Sequence, residues 1–88
     1  MDIKVAATAM RPFVEKCKIS KEDLQMDKHS ASGNNPTGIH HLLFMIKQIE
    51  SGEVSGEKAH RWLGWIQGVV CCRGGATLEE MKAINFAA

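Results

Sequence analysis

The chain has 88 residues, enough for one small domain whose core can form without a metal or disulfides. Eleven Lys and Arg against ten Asp and Glu leave a formal charge of +1, so no basic face is written for a nucleic acid; 44% apolar and 24% charged residues argue against wholesale disorder. No apolar run approaches the ~20 residues that span a bilayer, and no membrane contact is expected. Three cysteines, two of them adjacent at Cys71 and Cys72, cannot close a disulfide framework. With no secretory leader ahead of them, the expected compartment is a reducing cytoplasm.

In chain order, residues 1–28 read as an N-terminal arm or helices. Ile3, Ala6, Ala7, Met10, Val14 and Cys17 recur at helical spacing, but Pro12 interrupts them. The expectation is a short arm, extended or helical, then a helix with Pro12 in its first position, where the missing N–H costs nothing. Residues 20–23, SKED, resemble an N-cap with an acidic first turn and predict a short helix to about Met26. Residues 29–37 are a polar loop by composition, with Ser, Gly, Asn and Pro and no apolar period.

Ile39, Leu42, Leu43, Ile46 and Ile49 follow the i, i+3, i+4, i+7 rule and predict an amphipathic helix over 38–51, capped by Thr37 and ended by Gly52. A second helix, over 56–73, opens after Ser55, carries Ala59, Trp62, Leu63, Ile66, Val69 and Val70 on one stripe, and stops at Gly74 and Gly75. The connection between them is short, which makes them an antiparallel hairpin. Thr77 and Glu80 form a capping box ahead of Leu78, Met81 and Ile84, a short last helix folding back on the hairpin. The predicted fold is all-α: one domain, residues 1–88, a small helical bundle built on an antiparallel helical hairpin with a short C-terminal helix.

The second hairpin helix has two unlike faces. Trp62 falls on the stripe that reads as core; the other side holds His60, Arg61, Gly64, Gly68 and Cys71, flanked by Trp65 and Cys72. Each glycine costs a helix interior about 1 kcal/mol relative to Ala, a loss that close approach by another element would offset. Two fillings of this groove are open and do not exclude each other: the N-terminal arm, with Ile3, Val5, Met10, Phe13 and Val14 to bury, or another chain, a second copy or a partner protein anchored on aromatic and Arg side chains. The candidate partner-binding residues are His60, Arg61, Gly64, Trp65, Gly68 and Cys72.

Metal chemistry would draw on His29, His40, His41, His60 and the cysteines. Adjacent helical residues diverge by about 100°, and no C-x-x-C or H-x-x-x-H spacing exists, so neither a metal nor a cofactor is expected. The antiparallel hairpin brings His40 and His41 toward Cys71, but no nucleophile motif accompanies them and no catalytic residue is assigned. The same end offers a weaker anion-binding candidate, Asn34, Asn35, Thr37, His41 and Arg73 around a helix N-terminus, without the G-K-[ST] of a phosphate loop. A helix-turn-helix reading of residues 57–85 meets two glutamates where a recognition helix would face phosphates.

The stretches EKAHRWLGWIQGVV, residues 57–70, and ATLEEMKAIN, residues 76–85, with a looser correspondence at GIHHLLFMIKQI, resemble small proteins of tailed phages and prophages. Those proteins carry a similar Lys-Ala-His-Arg-Trp-Leu-Gly, then Gln-Gly, then a short Thr-initiated helix with an acidic residue. Bulky residues often follow their Gln-Gly, where this chain has Val69, Val70, Cys71 and Cys72. The resemblance covers the second half; it implies a phage origin, a host-cell cytoplasm and a helical hairpin, and no activity comes with it. The KAHRW portion is also similar to the terminal Ala-x-x-Trp helix of phage proteins that sequester cyclic-nucleotide immune signals, over too short a stretch to transfer residues. The functional expectation is a small non-enzymatic phage accessory protein that binds and inhibits or redirects a host protein, for instance a defence component. The alternative is an oligomeric sponge that binds a phosphate-containing nucleotide through Arg61, Arg73 or His41, with an enzyme third.

Overall fold

The computed structural model describes residues 1–17 and 37–88. The helix expected from SKED, most of the polar loop and the candidates His29, Asn34 and Asn35 lie outside the described residues. Five helical segments and no strand are present among those described: α1 (Ile3–Ala9), α2 (Arg11–Glu15), α3 (Ile39–Ser51), α4 (Gly56–Cys72) and α5 (Leu78–Ala87). They pack as a small all-α bundle.

Asp2 starts α1, its carboxylate accepting from the N–H groups of Lys4 at 3.0 Å and Val5 at 3.3 Å. Met10 then serves as C-cap of α1 and N-cap of α2, so the N-terminal segment is one bent rod. Pro12 takes the second position of α2, one later than expected; its absent N–H cannot reach back to Thr8, and the chain bends ahead of it. Ala6, Ala7, Met10 and Val14 are fully buried and Cys17 nearly so, the helical stripe expected from spacing. That stripe packs on α3 and α4, and α1 also touches α5.

In the hairpin, Leu42, Met45, Ile46 and Ile49 of α3 face Ala59, Leu63, Ile66, Val69 and Val70 of α4 within one core. Gly52 closes α3 with φ 84°, a left-handed cap that side chains disfavour, and its N–H bonds to Ile49 O at 3.1 Å. Val54 in the connection tucks into the same core, its N–H on Gln48 O at 3.1 Å. At the open end an Arg73 guanidinium N–H donates to Thr37 O at 3.0 Å, as an antiparallel pairing requires. The N-cap of α3 is Gly38, not Thr37 as expected, because the chain turns into the helix one residue later. Trp62, expected in the core, is only half-buried: it packs against the core edge with Lys58 Nζ 5.3 Å from its ring centroid.

The turn after α4 brings two backbones together. Gly74 has φ 77°, and Gly75 is buried with its N–H on Val70 O at 2.9 Å. A Cβ at Gly75 would stand 2.6 Å from Phe13 O and 2.7 Å from Cys17 Sγ. The Thr77–Glu80 capping box then starts α5, which returns along α4 and α1: the Gln67 and Asn85 amides exchange bonds at 2.8 and 3.2 Å, and Asp2 N–H reaches Ala88 O at 2.7 Å. Met81 enters the core, whereas Leu78, expected on the same apolar face, stays 63% exposed because no described element covers the first turn of α5.

One polar clasp ties the N-terminal rod to α3. Glu50 accepts from Thr8 Oγ1 at 2.7 Å, from Arg11 Nε at 3.1 Å and from Arg11 Nη2. The hydrogen bonds from Arg11, helped by that from Thr8, hold the Glu50 carboxyl below its ordinary pKa of 4.5. A depressed carboxyl stabilises the fold fully above that ordinary value and progressively less as pH falls through the folded value. With Arg11 38% and Glu50 25% exposed, solvent screens the pair, and a Glu50→Gln variant is expected to lose only about 0.5–1 kcal/mol at neutral pH. In urea titrations at successive pH values, the gap between wild type and this variant should close below pH 4.5; a constant gap would contradict the clasp. Gly75→Ala is expected to cost about 1–3 kcal/mol by overpacking, read as a lower urea midpoint, because the nearest obstacle is a backbone carbonyl.

Candidate functional site

The helix α4 turns Ala59, Leu63, Ile66, Val69 and Val70 inward. At about 100° per residue, this leaves His60, Arg61, Gly64, Trp65, Gly68 and Cys72 on the outside, and all six are exposed, Trp65 by 46%. Cys71, placed by spacing with this group, is half-buried and packs against the core instead. The structure therefore gathers the six partner-binding candidates on one surface. Gly64 and Gly68 lie at its centre, and a Cβ built on either meets nothing within 4 Å among the described residues.

The described part of the N-terminal arm, residues 1–17, does not lie across this strip. Its stripe of Ala6, Ala7 and Met10 packs on the inner, apolar side of the hairpin, where far more apolar surface leaves water than a face carrying His60 and Arg61 offers. Val5, one of the arm residues expected to be covered there, is 54% exposed. The outcome is a length of helix backbone that no described residue covers, bordered by an indole, with His60 and Arg61 toward the N-terminal end and the Cys72 thiol toward the other. A second helix crossing at Gly64 and Gly68 can approach more closely than the ~8–10 Å between axes of ordinary helix pairs.

Of the anion-binding candidates, Thr37, His41 and Arg73 are among the described residues. Thr37 and Arg73 are brought together, with the guanidinium donating to the Thr37 carbonyl, which makes Arg73 a clasp at the open end of the hairpin. His41 lies beside Phe44, ring centroids 6.4 Å apart, and His40 is exposed. Among the described residues, no group of three His, Cys, Asp or Glu side chains is placed to hold a metal ion, and no helix is long and apolar enough to cross a membrane. None of the three cysteines is in a disulfide among the described residues: Cys17 is buried with its Sγ 3.6 Å from Phe13 O, Cys71 half-buried, Cys72 exposed.

A second concave surface went unread in the sequence. Where α1 and α2 run alongside α5, Val5, Ala9, Phe13, Ala83, Ile84 and Ala87 line an apolar cleft of about 370 Å³. It continues past Val5 and Ala9 into a hollow of about 490 Å³ edged by Lys4, Thr8 and Glu50. Its walls lie at opposite ends of the chain, and no local period pairs them. The small side chains of Ala83 and Ala87 on the outer side of α5 were the available signal. Compared with protein-family models, curated proteins and solved structures, the chain matches none.

Because no described residue lies over either glycine, Gly64→Ala and Gly68→Ala are each expected to raise the stability of the isolated protein by about 0.5–1 kcal/mol. A higher melting temperature for both is the expected readout; a fall in either would mean that the strip is already occupied within the chain.

Proposed function

We propose that the protein acts by binding rather than by chemistry, as a small phage accessory protein that docks a host protein on the outer face of α4 and thereby inhibits or redirects it. The observation that carries this reading is the pair of outward glycines, which cost the helix stability and serve no contact among the described residues. A partner element running close over the backbone supplies a use for them, and Arg61 and the part-exposed Trp65 are the residue types that anchor such contacts. The likeness of residues 57–70 and 76–85 to tailed-phage proteins supports the setting in a host cell.

The test is capture of a host protein from lysate by wild type, Gly68→Leu and Trp65→Ala chains, with melting temperature recorded for each. Leu at position 68 meets no described residue at its Cβ and should leave the fold intact while blocking close approach. Loss of capture by at least about tenfold in both variants, equivalent to 1.4 kcal/mol or more, is expected with the fold preserved. Capture that survives Gly68→Leu would move the partner off α4.

A further inference from the structure

We infer that the cleft between α1, α2 and α5 is a self-association surface, filled by Phe86 from a second copy of this chain. Phe86 is 95% exposed, the most exposed large apolar side chain described, while Val5 beside the cleft is 54% exposed. On the α5 wheel Phe86 falls about 60° from Ala83 and 100° from Ala87, the two residues that form the outer wall of the cleft. A projecting ring and a receiving hollow thus share one continuous apolar surface.

The chemistry of the cleft selects an apolar side chain over a small polar ligand. Small-molecule sites place a few polar groups to orient the ligand. Here the polar side chain on the lining is Glu80, and its carboxylate already accepts from the N–H of Thr77 at 2.9 Å and its hydroxyl at 3.2 Å. Charge does not bar a second copy either. The chain carries +1 overall, and Lys82, one turn before Phe86, stands 3.7 Å from Glu79 on the same helix, so the shoulder around the ring is locally balanced.

A two-fold axis beside α5 carries each Phe86 into the other copy's cleft, the self-complementary arrangement of closed dimers. A phenylalanine buries about 150–250 Å². Two rings and the cleft walls they cover, which include Val5, Ala83 and Ala87, bring the total to roughly 600–1,000 Å², at or below the lower bound of a specific interface. The expected dimer is therefore weak and reversible, with Kd of roughly 1–100 µM. This surface shares no residue with the α4 strip, so the two can be tested separately.

The experiment is sedimentation equilibrium of the untagged chain from roughly 1 µM to 1 mM. Wild type should pass from monomer to dimer across that range. Phe86→Ala, whose ring is almost wholly in solvent, should melt at the wild-type temperature and weaken dimerisation by at least about 30-fold, the mark of a hot spot; Ala83→Arg, on the exposed outer wall, should do the same. A wild type that stays monomeric at 1 mM overturns the inference, as does a dimer that survives both substitutions. If wild type is monomeric while Phe86→Ala loses the captured host protein, the cleft serves a foreign partner and the inference falls, leaving the α4 reading to its own variants.

Discussion

Seating of α1 against the other helices is the contact on which the bundle depends. An antiparallel hairpin alone has one apolar side with nothing over it, and a ten-residue α5 cannot cover it. Ala6 and Ala7 are fully buried and short enough to let the α1 backbone lie close, while Met10 supplies the volume that fills the space between helices. The remaining devices hold that placement. Asp2 caps the start of α1, Pro12 bends the rod toward α3, Glu50 clasps it from outside, and the buried Gly75 lets the end of α2 press against the turn after α4. The Asp2 cap and the Pro12 bend are local, but the Glu50 clasp and the Gly75 contact join residues far apart in sequence, so the N-terminal helix gains their stability only when the second half of the chain is present.

The same placement decides what is left uncovered. With its apolar stripe committed to the inner side of the hairpin, α1 has nothing to offer the outer side of α4, and no described residue covers the backbone at Gly64 and Gly68. Because α1 must also meet α5, its other flank is drawn into a valley between the two, with Val5 and Ala9 on one wall and Ala83 and Ala87 on the other. Both open surfaces are thus by-products of one packing solution. The first carries a stability cost and the second adjoins an exposed ring.

The hairpin was legible because its signals are local. Ile39, Leu42, Ile46 and Ile49 repeat at the helical period, Gly52 and Gly74 stand where left-handed caps are needed, and Thr77 with Glu80 forms the capping box that spacing implied. The solvent-facing set from His60 to Cys72 follows from the same wheel. What misled was the assumption that an apolar residue on the right arc is fully covered. Trp62 and Leu78 lie on their expected arcs, yet coverage depends on whether another helix extends that far, which periodicity does not encode. Val54 shows the converse, a connection residue drawn into the core because the turn folds under the hairpin. The α1–α5 valley was out of reach for the same reason: its walls meet only through tertiary packing.

The bond from Asp2 N–H to Ala88 O, at 2.7 Å, has a topological consequence. It brings the first and last helices together so that the described fold is close to a closed ring, and a short linker could join the two ends without moving either helix. Such a circularised chain could be reopened between α3 and α4, where Gly52 and Ser55 are exposed, and keep the same core in a new order. It also means that any segment appended at either end emerges beside the valley lined by Val5 and Ala87. The two ends of the chain share one doorway, and whatever is attached there becomes a neighbour of that surface.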